Sequence, residues 1–165
     1  MTLAEFRRVY PTAAFTVSSG KLFTYRYYQN PQAKATLVLL TGGIGLSDLF
    51  YKHFARFARD FSVLTFDYQL QFGDKPYEQH MIDFLCDAEH YFGMTRNDFA
   101  PWEGRVLLIL SEDDTTFTPA CREDLIALMP SHTVVTDLTG GHLALMVRLE
   151  QYADLLTKFI LERTP

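Results

Sequence analysis

Cysteine is nearly missing from this sequence, and the two present, Cys86 and Cys121, share no metal-ligand spacing with each other or with a histidine. A disulfide framework and a cysteine-held metal are therefore not expected; both residues read as free thiols of a reducing compartment, more in the manner of buried structural cysteines than of nucleophiles. No cluster of histidine and carboxylate ligands at workable spacing is present either, and neither a metal nor a cofactor is expected. No apolar run is long enough to span a bilayer, and MTLAEFRRVYPTAAF at the amino terminus lacks the hydrophobic stretch of a signal peptide, so the expectation is a cytoplasmic protein with no membrane partner. Basic charge is in deficit: 15 Lys and Arg against 20 Asp and Glu give a net charge of −5, and the cations are scattered, which argues against nucleic acid as a partner. Repeats, low-complexity stretches and linkers are absent as well, which leaves one domain over residues 1–165.

What is abundant is aromatic. Fourteen Phe and 9 Tyr in a chain of 165 residues predict a core rich in phenylalanine. Residues 13–19 and 21–28 alternate β-branched or aromatic residues with polar ones on either side of Ser19-Gly20, the pattern of a leading antiparallel hairpin. A strand at 35–41, a helix at 47–59 and a strand at 61–68 then form a β-α-β unit. A helix near 76–93, a buried parallel strand at 105–110, a helix from Thr118 and Pro119 to about 129, a strand at 132–138 and a terminal helix at 143–162 complete the chain. The alternation predicts an α/β fold: a mostly parallel sheet of about six strands behind the hairpin, with helices on both faces.

In such sheets ligands bind beyond the carboxyl ends of the strands, at the point where strand order reverses. Four loops lie there: TGGIGLSD, DYQLQFGD, SEDDTTFTP and TGGHLAL. The first sets exposed backbone N–H groups at the start of a helix, where negative charge is favoured. A dinucleotide reading of Gly43-x-Gly45, with Asp67 at the end of the next strand, is disfavoured because Asp48 occupies the third glycine's place and would repel a pyrophosphate. A P-loop is excluded, since no Lys-Ser or Lys-Thr pair follows the glycines.

LVLLTGGIGLSDLFYKHFARFARDFSVLTFDY, GRVLLILSEDDTTFTP and LTGGHLALM, in that order, resemble the α/β-hydrolase family: its third strand, oxyanion loop, first helix and fourth strand, then its acid loop, then its histidine loop. The resemblance covers 35–68 and about 103–162. It implies that Asp114, five residues before Pro119, stands at the family's acid, His142 at its base, and Gly42, Gly43 and Ile44 in the loop that gives an oxyanion-hole N–H. It also implies a truncated core. The G-x-S-x-G elbow that carries the family's nucleophile is absent, and closing the usual sheet over that gap gives the strand order 1-2-4-3-5-6.

Ser47, in GLSDL, is the candidate stand-in nucleophile, but it reads better as the N-cap of a helix beginning at Asp48. Asp113 and Asp114 read also as turn acids before Thr118, and spacing favours Asp114 for a site role. His53, His80, His90 and His132 read as structural or solvated. Two functions follow from the resemblance. One is slow hydrolysis of a small-molecule ester or thioester by His142 and Asp114 with Ser47 or water; the other is a non-catalytic binding or assembly protein on the same fold. Apolar surface uncovered by the shortening predicts a homo-oligomer, most simply a dimer.

Overall fold

The computed structural model describes residues 1–18, 20, 22–41, 46–67, 82, 85–87, 90 and 93–163. The chain divides into two compact units, Met1–His80 and Met81–Pro165.

In the first unit, helix α1 (Leu3–Val9) begins at a reciprocal capping box: Thr2 Oγ1 accepts the N–H of Glu5 at 3.2 Å, and Glu5 Oε2 accepts that of Thr2 at 2.7 Å. This helix was not expected from the sequence, because seven residues give too short a window for a helical period. It buries Phe6 completely, with the rings of Phe54 and Tyr10 each 5.5 Å away. Strands β1 (Ala13–Thr16) and β2 (Leu22–Tyr28) form the expected antiparallel hairpin, with Phe15 opposite Phe23. Strand β3 (Thr36–Leu39) leads toward a 3₁₀ turn at Ser47–Phe50 and helix α2 (Tyr51–Phe57), which returns the chain to β4 (Ser62–Asp67). Strand β4 lies between β2, antiparallel, and β3, parallel. Phe54, Phe57, Phe61 and Val63 are buried with Phe6, which is the phenylalanine core the composition predicts.

In the second unit, a 3₁₀ segment at Arg96–Trp102 precedes β5 (Val106–Ser111). Helix α3 (Pro119–Leu128) starts as expected, with Pro119 in its first turn and Thr118 Oγ1 accepting the N–H of Cys121 at 3.3 Å. Strand β6 (His132–Leu138) runs parallel to β5 from Val106–His132 to Ile109–Val135, and the next pair is Ser111–Leu138. Two residues on β5 thus span three on β6, a bulge that advances the end of β6. The terminal helix is broken where one was expected. A 3₁₀ turn (Gly141–Leu143), α4 (Ala144–Val147) and α5 (Leu149–Leu161) are separated at Arg148, whose backbone leaves helical geometry at φ −119° and ψ 38° while its Nε donates to the Thr139 carbonyl at 3.1 Å.

The expectation of about six strands in one mostly parallel sheet is corrected. Among the described residues there is a mixed four-stranded sheet, in order β1-β2-β4-β3, and a separate parallel pair, β5-β6. The order within each is the expected one, but a turn-connected hairpin at the front of the chain makes two of the four-stranded sheet's three ladders antiparallel. Strand β5 also departs from the buried strand expected of an all-apolar run, because Val106–Leu110 are only half-buried. The expected helix at 76–93 lies largely outside the described residues; Ile82, 85–87 and His90 are helical. No helix of the described residues is long and apolar enough to cross a membrane.

Candidate active site

Both predicted polar partners, Asp114 and His142, lie in the second unit, in the loops that leave the carboxyl ends of β5 and β6. After Ser111 the chain turns at once, and Asp114 closes that turn on itself: its Oδ1 accepts the N–H groups of Thr116 (2.8 Å) and Phe117 (3.3 Å). Its other oxygen, Oδ2, is left for His142 Nδ1 at 3.4 Å. A carboxylate only accepts, so a hydrogen bond at this contact requires the imidazole proton on Nδ1, which would leave Nε2 as the basic nitrogen. Nε2 has no hydrogen-bond partner among the described residues. At 3.4 Å the contact is an electrostatic approach and longer than a tight N–H···O bond.

Exposure separates the two side chains: Asp114 retains 11% of its accessible surface and His142 48%. Burial pushes the Asp114 carboxyl upward, but the Thr116 and Phe117 N–H groups and His142 outweigh it and hold it below the usual range. The Phe117 ring packs on the imidazole with centroids 5.2 Å apart. A cleft of about 530 Å³ opens between these groups, lined by Ile109, Asp114, Phe117, Cys121, His142 and Tyr152. Tyr152 closes one wall and donates its O–H to the Ile109 carbonyl at 3.5 Å; burial first, and the Asp114 charge second, raise its phenol above the ordinary value. An apolar wall with a few convergent polar groups is the composition of a small-molecule site.

Asp113, for which the sequence offered only a turn role, holds the histidine loop. Its Oδ1 accepts the N–H of Gly140 at 2.9 Å, the N–H of Gly141 at 2.8 Å and the O–H of Ser111 at 2.8 Å. The Gly141 N–H, the Ser111 O–H and the Gly140 N–H, in that order of effect, pull its carboxyl down to about 2. Gly140 sits at φ +135° and Gly141 at φ +61°, and a Cβ on Gly140 would stand 2.7 Å from Val147 Cγ2, so the loop tolerates no side chain there.

No protein-family model matches the chain, and no curated protein matches its sequence. Its fold is similar to that of a solved structure from Thermoplasma acidophilum, a predicted CIB-like hydrolase, at 12% identity and a TM-score of 0.58. The match covers 90% of this chain and 98% of that one, so the two are of similar length. At this identity the likeness is one of fold.

The other predicted site residues belong to the first unit. Gly42, Gly43, Ile44 and Gly45 lie outside the described residues. Ser47 belongs to the first unit and is buried, with 1% of its surface exposed. It is the first residue of its 3₁₀ turn and forms no side-chain cap, so the N-cap reading is corrected: the turn's N-cap is Leu46. Ser47 Oγ accepts from Arg26 Nε at 3.3 Å, and its N–H donates to Asp67 Oδ1 at 2.6 Å. Arg26 is itself buried and ion-paired to Asp48 Oδ1 at 2.8 Å, with its guanidinium over the Phe6 ring. A serine oxygen beside a cation, with no base on it among the described residues, is held as a structural acceptor. Cys86 and Cys121 are free but exposed, where buried thiols were expected; Cys121 Sγ accepts the Thr118 O–H at 3.3 Å on the wall of the cleft. His53 is buried on α2, while His90 and His132 each lie within hydrogen-bond distance of a nearby carbonyl; His80 lies outside the described residues. Among the described residues, no three His, Cys, Asp or Glu side chains are grouped to hold a metal ion.

Proposed function

We propose that the cleft beside Asp114 and His142 is a hydrolytic site for small, uncharged esters or thioesters, with water as the attacking group. His142 Nε2 takes the proton as the water oxygen adds to the carbonyl carbon. The carbonyl electrons move onto oxygen, and the same proton passes to the leaving alkoxide or thiolate as the tetrahedral species collapses to acid and alcohol or thiol. Asp114 fixes the Nδ1–H tautomer and stabilises the imidazolium that forms. The single observation that supports this reading is the approach of Asp114 Oδ2 to His142 Nδ1, 3.4 Å, on the wall of a cleft whose lining is largely apolar apart from Ser111 and Arg122. Water is the preferred nucleophile because the serines with described contacts near the candidate loops are already committed, Ser111 to Asp113 and Ser47 to Arg26. The fold neighbour's name as a hydrolase is consistent with the reading.

The test is p-nitrophenyl acetate hydrolysis by the parent, His142→Ala and Asp114→Asn. A positioned general base contributes about 10²- to 10⁴-fold, so His142→Ala should lose a factor in that range and Asp114→Asn a smaller one. Hydrolysis by both variants at the parent rate removes the pair from the mechanism. No hydrolysis by the parent favours the alternative, in which the cleft binds a small molecule without turning it over.

A further inference from the structure

We propose that Asp113 is a positioning residue, which holds the backbone just before His142 so that the imidazole meets Asp114. Its catalytic consequence rests on the hydrolytic reading above; its structural content does not.

An acid with only a turn role bonds its own loop. Asp114 does so, through Thr116 and Phe117. Asp113 accepts the Ser111 O–H nearby but also reaches 27 and 28 residues along the chain, to the two amides that precede His142. Two successive N–H groups aimed at one point form an anion-binding concavity, and here the anion is a side chain of the neighbouring loop. The donors converge on Oδ1 from Gly140, Gly141 and Ser111 at 2.9, 2.8 and 2.8 Å, and Oδ2 lies 3.2 Å from Gly140 N. Both glycines adopt positive φ, a conformation their own short turn does not enforce, since glycine reaches negative φ as readily. The carboxylate supplies the missing constraint.

The neighbouring carboxylates therefore divide two tasks. Asp114 has one oxygen committed to its own loop, so it cannot follow a wandering ring, and alignment has to be set from the histidine side. On that side the backbone immediately before the ring is tied to Asp113. The β5-β6 bulge contributes as well, because Glu112 N donates to the Leu138 carbonyl at 2.7 Å and brings the two loops together at their roots.

The experiment records ¹H–¹⁵N correlations of the histidine ring nitrogens at neutral pH in the full chain, for the parent, Asp113→Ala and Asp113→Asn, with ester kinetics beside them. The parent's His142 should show one dominant tautomer with the proton on Nδ1. Asp113→Ala should shift that signal toward mixed tautomers and lower kcat on the order of 10²-fold with KM little changed, the effect of a misplacement of about 1 Å. Asp113→Asn keeps an acceptor oxygen and should recover most of both. Should the alanine variant unfold, Asp113→Ser withdraws the carboxylate while keeping a turn-compatible residue, and the same shift is expected. A folded Ala or Ser variant whose His142 ring signals superpose on the parent's overturns the proposal. A parent without esterase activity defeats the hydrolytic reading alone, because the ring spectrum judges Asp113 without substrate.

Discussion

The two units bury different kinds of side chain. Among the described residues, the large side chains that are fully buried, Phe6, Phe54, Phe61 and Val63, lie in Met1–His80. The buried apolar residues described in Met81–Pro165 are Met129, Leu138, Ala144 and Ala153, none of them aromatic, and β5 stays half-buried along its apolar length. The first unit also carries a buried, charge-paired network around Arg26, whereas in the second the approach of Asp114 to His142 lies in loops at the strand ends. The contrast separates a region whose aromatic packing fixes a scaffold from one whose backbone hydrogen bonds fix a pair of loops. The polar pair of the candidate site lies in the second unit, on the wall of an accessible cleft.

The largest effect should come from the aromatic core. Phe54 is fully buried, with the Tyr10 ring 4.9 Å and the Phe6 ring 5.5 Å away, so Phe54→Ala should cost about 3–5 kcal/mol in urea unfolding. A loss below about 1 kcal/mol would break the contrast between the units. Next comes Gly140→Ala. A methyl group 2.7 Å from Val147 Cγ2, on a residue at φ +135°, should cost about 1–3 kcal/mol and speed amide exchange in the 139–148 segment. Unchanged exchange there would mean that the histidine loop is less constrained than its hydrogen bonds imply.

The smallest effect sharpens the comparison through pH. Asp113 is held at about 2, below its ordinary 3.8, by hydrogen bonds that need the ionised form. A depressed carboxyl stabilises the folded state fully above its unfolded pKa, and that contribution is lost as pH falls through the folded one. The parent should therefore lose stability between about pH 4 and pH 2, and Asp113→Asn should lose less over the same window. Parallel curves for the two would remove Asp113 from the acid dependence.

Much of the fold was legible because its signals are local. The hairpin follows from alternation around Ser19-Gly20, α3 from Thr118-Pro119, and β6 from seven residues whose bounds matched the expectation. Helix α1 escaped because one buried phenylalanine in seven residues makes no periodic pattern, and the break at Arg148 escaped because no proline or glycine marks it. At the candidate site, the family resemblance pointed to Asp114 and His142 and spacing preferred Asp114 to Asp113, which was left a turn role, since a hydrogen bond 28 residues away leaves no local mark.

The sequence by itself determined the alternation of strands and helices, the aromatic core and the residue types that end each strand, because propensity, capping and turn chemistry act over a few neighbours. Only the tertiary structure decided that the described strands form a mixed four-stranded sheet and a parallel pair, that Ser47 is enclosed beside Arg26, and that neighbouring aspartates face different partners. Those outcomes depend on which distant backbone groups compete for the same acceptor, and that competition is resolved when the chain closes on itself.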